Sequence, residues 1–278
     1  MWRATSFWSR ALAWPGRRFG RYLGPVVAVL LLGALSATPT SAFEIDSTQV
    51  VVPVVVHTHG YNSTVWKSDV WVTNTGSPAG EFTLTYYPAA GGKLTRSMTI
   101  AGYGGQYFSD IVLQTFGLND SKGLLVVSSP SVYMEVRARV YNTGDPAGQF
   151  GQAVPGIPQY RLSRQGFISG VSTAAGNRLS VGIANPTDRT FDVDITVRDV
   201  TTQETLSDHT VTLSPHELLQ LDKVAELWNL PARDDLAIDT NPVGNDNADV
   251  FYAYASVVRD DTGDATFLFG TAPNAGVL

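Results

Sequence analysis

Apolar and polar residues alternate along much of this chain. Val132, Met134, Val136, Ala138 and Val140 fall on one side of a run whose other side carries Tyr133, Glu135, Arg137, Arg139 and Tyr141. A repeat of two is the signature of an extended strand with one buried face. It recurs in Phe82, Leu84 and Tyr86 against Thr83, Thr85 and Tyr87, and in Phe191, Val193, Ile195 and Val197 against Asp192, Asp194, Thr196 and Arg198. Each predicts a half-buried antiparallel strand.

The strands come in the same order twice. Asp69–Asn74 matches Leu179–Asn185, with each asparagine ending its strand before a turn, and Glu81–Tyr87 matches Thr190–Val197. Ser109–Leu118 and Leu221–Leu230 both read as a short helical turn with an aspartate at its start, placed to cap exposed amides. Arg139–Asp145 and Val258–Asp264 both end on Thr-Gly-Asp, a hairpin turn after a long strand. Self-similarity at this spacing implies a duplicated module of about seven short strands. Two copies are too few for a propeller. The expected fold is therefore all-β, with two tandem sandwiches spanning residues 43–160 and 161–278. The stretch Gln152–Gln165, with Pro155, Gly156 and Pro158, is the expected break, and the join falls near Tyr160.

Residues 1–42 have another character. They carry five arginines and no acidic residue, then the apolar run Val26–Leu35, then small residues ending Thr40-Ser41-Ala42. That order is a signal peptide, with a cut expected before Phe43, and the apolar run is short for a membrane span. Arg17-Arg18 lacks the spacing of a twin-arginine signal, so general secretion is expected, with membrane contact only during export. No cysteine occurs, so stability must come from packing alone. Without the leader's five arginines, 14 of the 19 basic residues remain against 25 acidic ones, a net charge of −11. With that balance no nucleic-acid partner is expected.

The order Thr64-Val-Trp66-Lys-Ser-Asp69, a strand ending at Asn74, a short helix and a long strand before Thr-Gly-Asp resembles a group of exported bacterial proteins built from immunoglobulin-like repeats. The resemblance implies tandem immunoglobulin-like sandwiches and an address outside the cytoplasm, secreted, periplasmic or at the cell surface. It assigns no activity. The second copy lacks the Trp66 and Asp69 positions of the motif, having Asn177–Leu179 there.

Candidate chemistry is sparse. His57 and His59 share one face of a strand, as two metal ligands would, but a site needs further ligands and the other histidines, His209 and His216, lie in the second half. The acidic turns Asn245–Asp249 and Asp260–Asp264, with Asp260, Asp261 and Asp264, offer oxygen ligands without the spacing of a helix-loop-helix calcium loop, and aspartate and asparagine are also what turns require. No metal and no cofactor is expected. Gly166-Phe-Ile-Ser-Gly170 has the wrong spacing for a nucleophile elbow, and no phosphate loop is present. Asn62 and Asn119 begin glycosylation sequons.

Among the aromatic residues Trp66, Trp71, Tyr86, Tyr87, Tyr133, Tyr252 and Tyr254, four fall opposite the inferred core of their strands: Tyr87, Tyr133, Tyr252 and Tyr254. These predict an exposed aromatic strip facing a partner or a glycan. The expected role is a non-catalytic structural, adhesion or assembly module with a protein or polysaccharide partner in the envelope or extracellular space. Carbohydrate binding through the strip is the alternative, and a metal- or carboxylate-dependent hydrolase comes third.

Overall fold

A computed structural model describes residues 46–60, 64–144, 148–244 and 246–272. The expected leader, the Asn62 sequon, Asn245 and the Asp145 end of the first Thr-Gly-Asp turn lie outside the described residues. The protein is nearly all β, with antiparallel sheets throughout. No helix among the described residues is long and apolar enough to cross a membrane.

The first half runs β1 (Gln49–His59), β2 (Val65–Asn74), β3 (Gly80–Pro88), β4 (Leu94–Ile100), β5 (Gly105–Phe108), the short helix α1 (Ile111–Gln114), β6 (Ser121–Ser128), β7 (Met134–Thr143), β8 (Gly151–Pro155) and β9 (Ile157–Pro158). The second half runs β10 (Gly166–Val171), β11 (Asn177–Ala184), β12 (Phe191–Asp199), β13 (Thr205–Leu213), β14 (Leu218–Leu221), the short helix α2 (Val224–Leu227), β15 (Leu236–Pro242), β16 (Tyr252–Arg259) and β17 (Ala265–Phe269). The alternating runs form strands as their period requires: Phe82, Leu84 and Tyr86 are buried on β3, and Phe191, Val193, Ile195 and Val197 on β12.

Pairing follows one scheme in both halves. In the second half, β10-β15-β12-β13 and β14-β11-β16-β17 form two separate sheets. In the first half, β1-β6-β3-β4 and β5-β2-β7-β8 pair in the corresponding order. There β1 is longer, and its last residues His57–His59 also pair with Val65–Lys67 of β2, so the two groups join into one sheet.

Asn74 and Asn185 hold equivalent corners of the two halves. Asn74 Nδ2 donates to the carbonyls of Pro78 (2.8 Å) and Ala101 (3.1 Å), while its Oδ1 accepts the amide of Gly76. Asn185 Nδ2 donates to Arg189 (2.7 Å) and Ser214 (2.8 Å), and its Oδ1 accepts the amide of Thr187. Each buried amide thus satisfies three backbone groups where a strand meets its turn. The helical turns depart from expectation, because neither helix has a side-chain cap. Asp110 and Lys223 precede the helices in left-handed conformation, and the carboxylates of Asp110 and Asp222 serve partners elsewhere.

The stretch expected to break the strand pattern, Gln152–Gln165, carries short strands of its own. It contains β8, β9 and a 3-10 turn at Gln159–Arg161, and β9 pairs with β1 at Val50 and Val51. Residues Ile45–Leu278 form one compact unit. The apolar core of the first half extends into the second through Ala184, Leu218, Tyr252 and Tyr254. Tyr254 stacks on Phe267 at 4.9 Å and donates to Gln220 Oε1 at 3.0 Å, while Tyr252 donates to the carbonyl of Pro155 at 3.3 Å. Gly182 makes room for Tyr254: a Cβ there would stand 2.1 Å from the phenol ring.

The packing of Tyr252 and Tyr254 into the first half's core predicts a shared fate for the two halves. Tyr254→Ala removes a fully buried aromatic side chain and costs about 3–5 kcal/mol. Gly182→Val drives side-chain atoms into the ring and costs at least about 1–3 kcal/mol. Chemical denaturation of residues 43–278 should show one transition, displaced as a whole to lower denaturant in both variants. Two separated transitions, with only the second-half one displaced, would contradict the shared core.

Candidate functional site

The structure separates the two strand-end histidines. His57 is buried, with Nδ1 2.8 and 2.9 Å from the two carboxylate oxygens of Asp110. His59 is exposed, its Nδ1 3.7 Å from Asp120 Oδ1. Thr58 donates to Asp120 at 2.6 Å, and chiefly this bond holds the Asp120 carboxyl below its ordinary range. Among the described residues no group of three or more His, Cys, Asp or Glu is placed to hold a metal ion.

The acidic turns are occupied by arginines. Arg178 pairs with Asp260 at 2.5 Å, and Arg259 grips Asp261 through two bonds of 3.0 and 2.8 Å. The backbone of Asp264 closes the turn, with its carbonyl accepting the amide of Arg259. Arg189 bridges Asp246 and Asp249 in the other cluster. The carboxylates of Asp246, Asp249, Asp260 and Asp261 thus stand in ion pairs.

The expected aromatic strip does not form. Tyr252 and Tyr254 are each only 2 % exposed. They do point away from the core of their own half, as their alternation with Ala253 and Ala255 requires, but that face is covered by the first half. Tyr87 is half-buried and stacks on His216 at 4.2 Å. Tyr133 remains open, at 57 % exposure.

A different aromatic surface is present. Trp71 on β2 and Tyr107 on β5 are register partners, 40 % and 55 % exposed, with ring centroids 5.1 Å apart and planes inclined by 32°. Trp71 is also paired with Arg137 on β7, so Tyr107, Trp71 and Arg137 form one row across three strands. The next row sets Asp69 beside Arg139, and the one beyond sets Lys67 beside Tyr141. In the opposite direction Glu135 lies next to Thr73 and accepts from Arg137 Nε at 2.5 Å. Tyr133 continues the outward parity of β7 beyond them. Trp71 was legible as an aromatic candidate; Tyr107 was not, because β5 is four residues long and too short to display a period.

The row is anchored from below. Asp69, buried, accepts hydrogen bonds from Tyr107 Oη (2.9 Å), Tyr141 Oη (3.2 Å) and the Asp110 amide (2.9 Å). Asp110 in turn binds His57, and Lys67 Nζ lies 3.6 Å from its carboxylate. The two buried carboxylates are thereby hydrogen-bonded and lie close to two basic side chains. One consequence is positional: the bond to Asp69 holds the Tyr107 ring beside Trp71. A ring fixed before a ligand arrives loses less conformational freedom on binding.

Two clefts adjoin the contact between the halves. The first, about 490 Å³, is lined by Trp66, Asp120, Lys122, Gln152, Asp222 and Tyr254 among others. Its polar groups largely satisfy one another. Asp222 accepts from Ser180, Gln220 and Lys122; burial opposes its ionisation, but the Gln220 bond and the Lys122 charge together hold its carboxyl below the ordinary range. The second, about 580 Å³, is bounded by the Ala89–Lys93 turn, Tyr87 and His216.

No protein-family model matches this chain, and no curated protein matches it. Among solved structures it has a likeness to beta-glucuronidase 2 of Bacteroides uniformis, solved covalently bound to cyclophellitol-6-carboxylate aziridine, at 12% identity and a TM-score of 0.15. The match covers 75% of this chain and 26% of that one. An overlay of that quality carries no argument about fold or activity.

Tyr141 reports on the anchor beneath the aromatic pair. Burial, and then the Asp69 charge, push its hydroxyl up to about 12. A phenol whose folded-state pKa is raised stabilises the fold below its unfolded value, and that contribution is lost as pH climbs from about 10 through the folded value. Ultraviolet difference titration of wild type against Tyr141→Phe should place this ionisation near 12. In Asp69→Asn it should fall yet stay above about 10, because burial remains. Titration at the ordinary tyrosine value in wild type would rule out the buried bond.

Proposed function

We propose that this chain is an exported, non-catalytic binding protein of the cell envelope or extracellular space. It acts as a structural, adhesion or assembly module built from two tandem immunoglobulin-like β-sandwiches behind a cleaved leader. The corresponding order of strand pairing in the two halves, and the matching corners at Asn74 and Asn185, support the duplicated sandwich. The basic, cysteine-free start of the chain supports export.

One observation carries the binding role. The same sheet face is treated in opposite ways in the two halves. By the Asn74–Asn185 correspondence, the row Tyr107, Trp71, Arg137 occupies the place of Gln220, Gly182, Tyr254. In the second half that face is covered by the first half. In the first half it carries Trp71 and Tyr107 in solvent. Leaving two large aromatic side chains exposed forgoes burial free energy of about 1.5–3 kcal/mol each, and a partner that covers them recovers part of it.

The test uses purified residues 43–278 as bait against envelope and medium fractions of the native cell. The wild type should retain a discrete protein or polysaccharide, and the Trp71→Ala/Tyr107→Ala double variant should retain at most about a tenth as much, since aromatic anchors dominate such surfaces. Equal retention by both would remove this face from the account.

A further inference from the structure

We infer that the open face of β2, β5 and β7 binds an acidic polysaccharide, with a sugar ring stacked on the Trp71–Tyr107 pair and uronate carboxylates held by Arg137 and Arg139. This rests on the binding role proposed above and names its ligand class.

The composition of the face favours a glycan over a protein. A protein hot spot surrounds its aromatic anchor with apolar side chains that exclude water. Here the neighbours of Trp71 across and along the strands, besides Tyr107, are Arg137, Asp69 and Thr73. Aromatic rings beside exposed hydrogen-bonding groups suit a sugar, which offers an apolar C–H face for stacking and hydroxyls around its rim.

Charge decides between neutral and acidic glycans. Residues 43–160 hold six basic side chains, and three of them lie on this face of a chain whose net charge without the leader is −11: Lys67, which pairs with Asp110, and Arg137 and Arg139, which remain for a ligand. The carboxylates of Asp69 and Asp110 on the same side are buried in the anchor and so do not face a ligand. Glu135 engages Arg137 through Nε alone, which leaves the guanidinium's terminal N–H groups for a carboxylate. Arg139 stands one row along, about 7 Å further by strand geometry. Its guanidinium rests 4.7 Å from the centre of the Tyr141 ring, whose hydroxyl Asp69 fixes. Two cations in successive rows beside a stacking site fit a chain polymer with a carboxylate on each sugar.

Polygalacturonate and dextran serve as the acidic and neutral probes, with binding to residues 43–278 measured by titration calorimetry and affinity electrophoresis. Polygalacturonate should bind, dextran about tenfold or more weaker, and added salt should weaken the acidic probe because exposed charges are screened. Trp71→Ala and Arg137→Ala should each weaken polygalacturonate about tenfold with unchanged thermal unfolding. No binding of polygalacturonate, equal binding of dextran, or wild-type affinity in Trp71→Ala would each overturn the assignment. Capture of an envelope component through Trp71 and Tyr107 without polygalacturonate binding would overturn the ligand class and leave the binding role standing. Loss of both would end both.

Discussion

Tyr252 and Tyr254 of the second half pack into the apolar core of the first, and this contact joins the two halves. Gly182 is the position where a side chain would block the Tyr254 ring, and Tyr254 is the side chain that fills the space. With Tyr252 it carries the core of one half into the other, so that Ile45–Leu278 packs as one compact unit. Burial also makes the hydroxyls hard to ionise: both tyrosines are pushed well above the usual range, chiefly by loss of hydration. Such groups are tolerated because each finds one acceptor, Pro155 or Gln220.

The sheet face that is covered in the second half stands open at its counterpart in the first. What stands there differs in kind. Gly182 is replaced by Trp71, Tyr254 by Arg137 and Gln220 by Tyr107, so a packing face becomes an aromatic row flanked by cations. Beneath it, His57, Asp110 and Asp69 form a buried chain of hydrogen bonds that ends on the Tyr107 hydroxyl. His57 is thereby tied to Asp110, while His59 stands exposed beside Asp120.

Much of this was legible in the chain, and the limits are physical. Period-two alternation marked β3, β7 and β12, because a strand with one wet face must alternate. Asn74 and Asn185 stood out as strand ends, and they do hold equivalent corners. Alternation says which residues leave their own core, but not whether another part of the chain covers them. Tyr252 and Tyr254 alternate with buried residues just as Tyr133 does with Val132 and Met134, and only a long-range contact makes the first pair buried and Tyr133 exposed. The aspartates before the helical turns misled for a similar reason: Asp110 finds His57, 53 residues away in sequence, a better partner than the local amides. Pro155 and Pro158 suggested a break in the strand pattern, yet short strands β8 and β9 accommodate both, at their last residues.

The most direct test of this asymmetry is hydroxyl-radical footprinting of residues 43–278, read residue by residue by mass spectrometry. Trp71, Tyr107 and Tyr133 should oxidise rapidly, while Tyr252 and Tyr254 stay protected until the protein unfolds. Rapid oxidation of Tyr252 and Tyr254 in the folded protein, at rates matching Tyr133, would show that the halves do not share a core and would contradict the account.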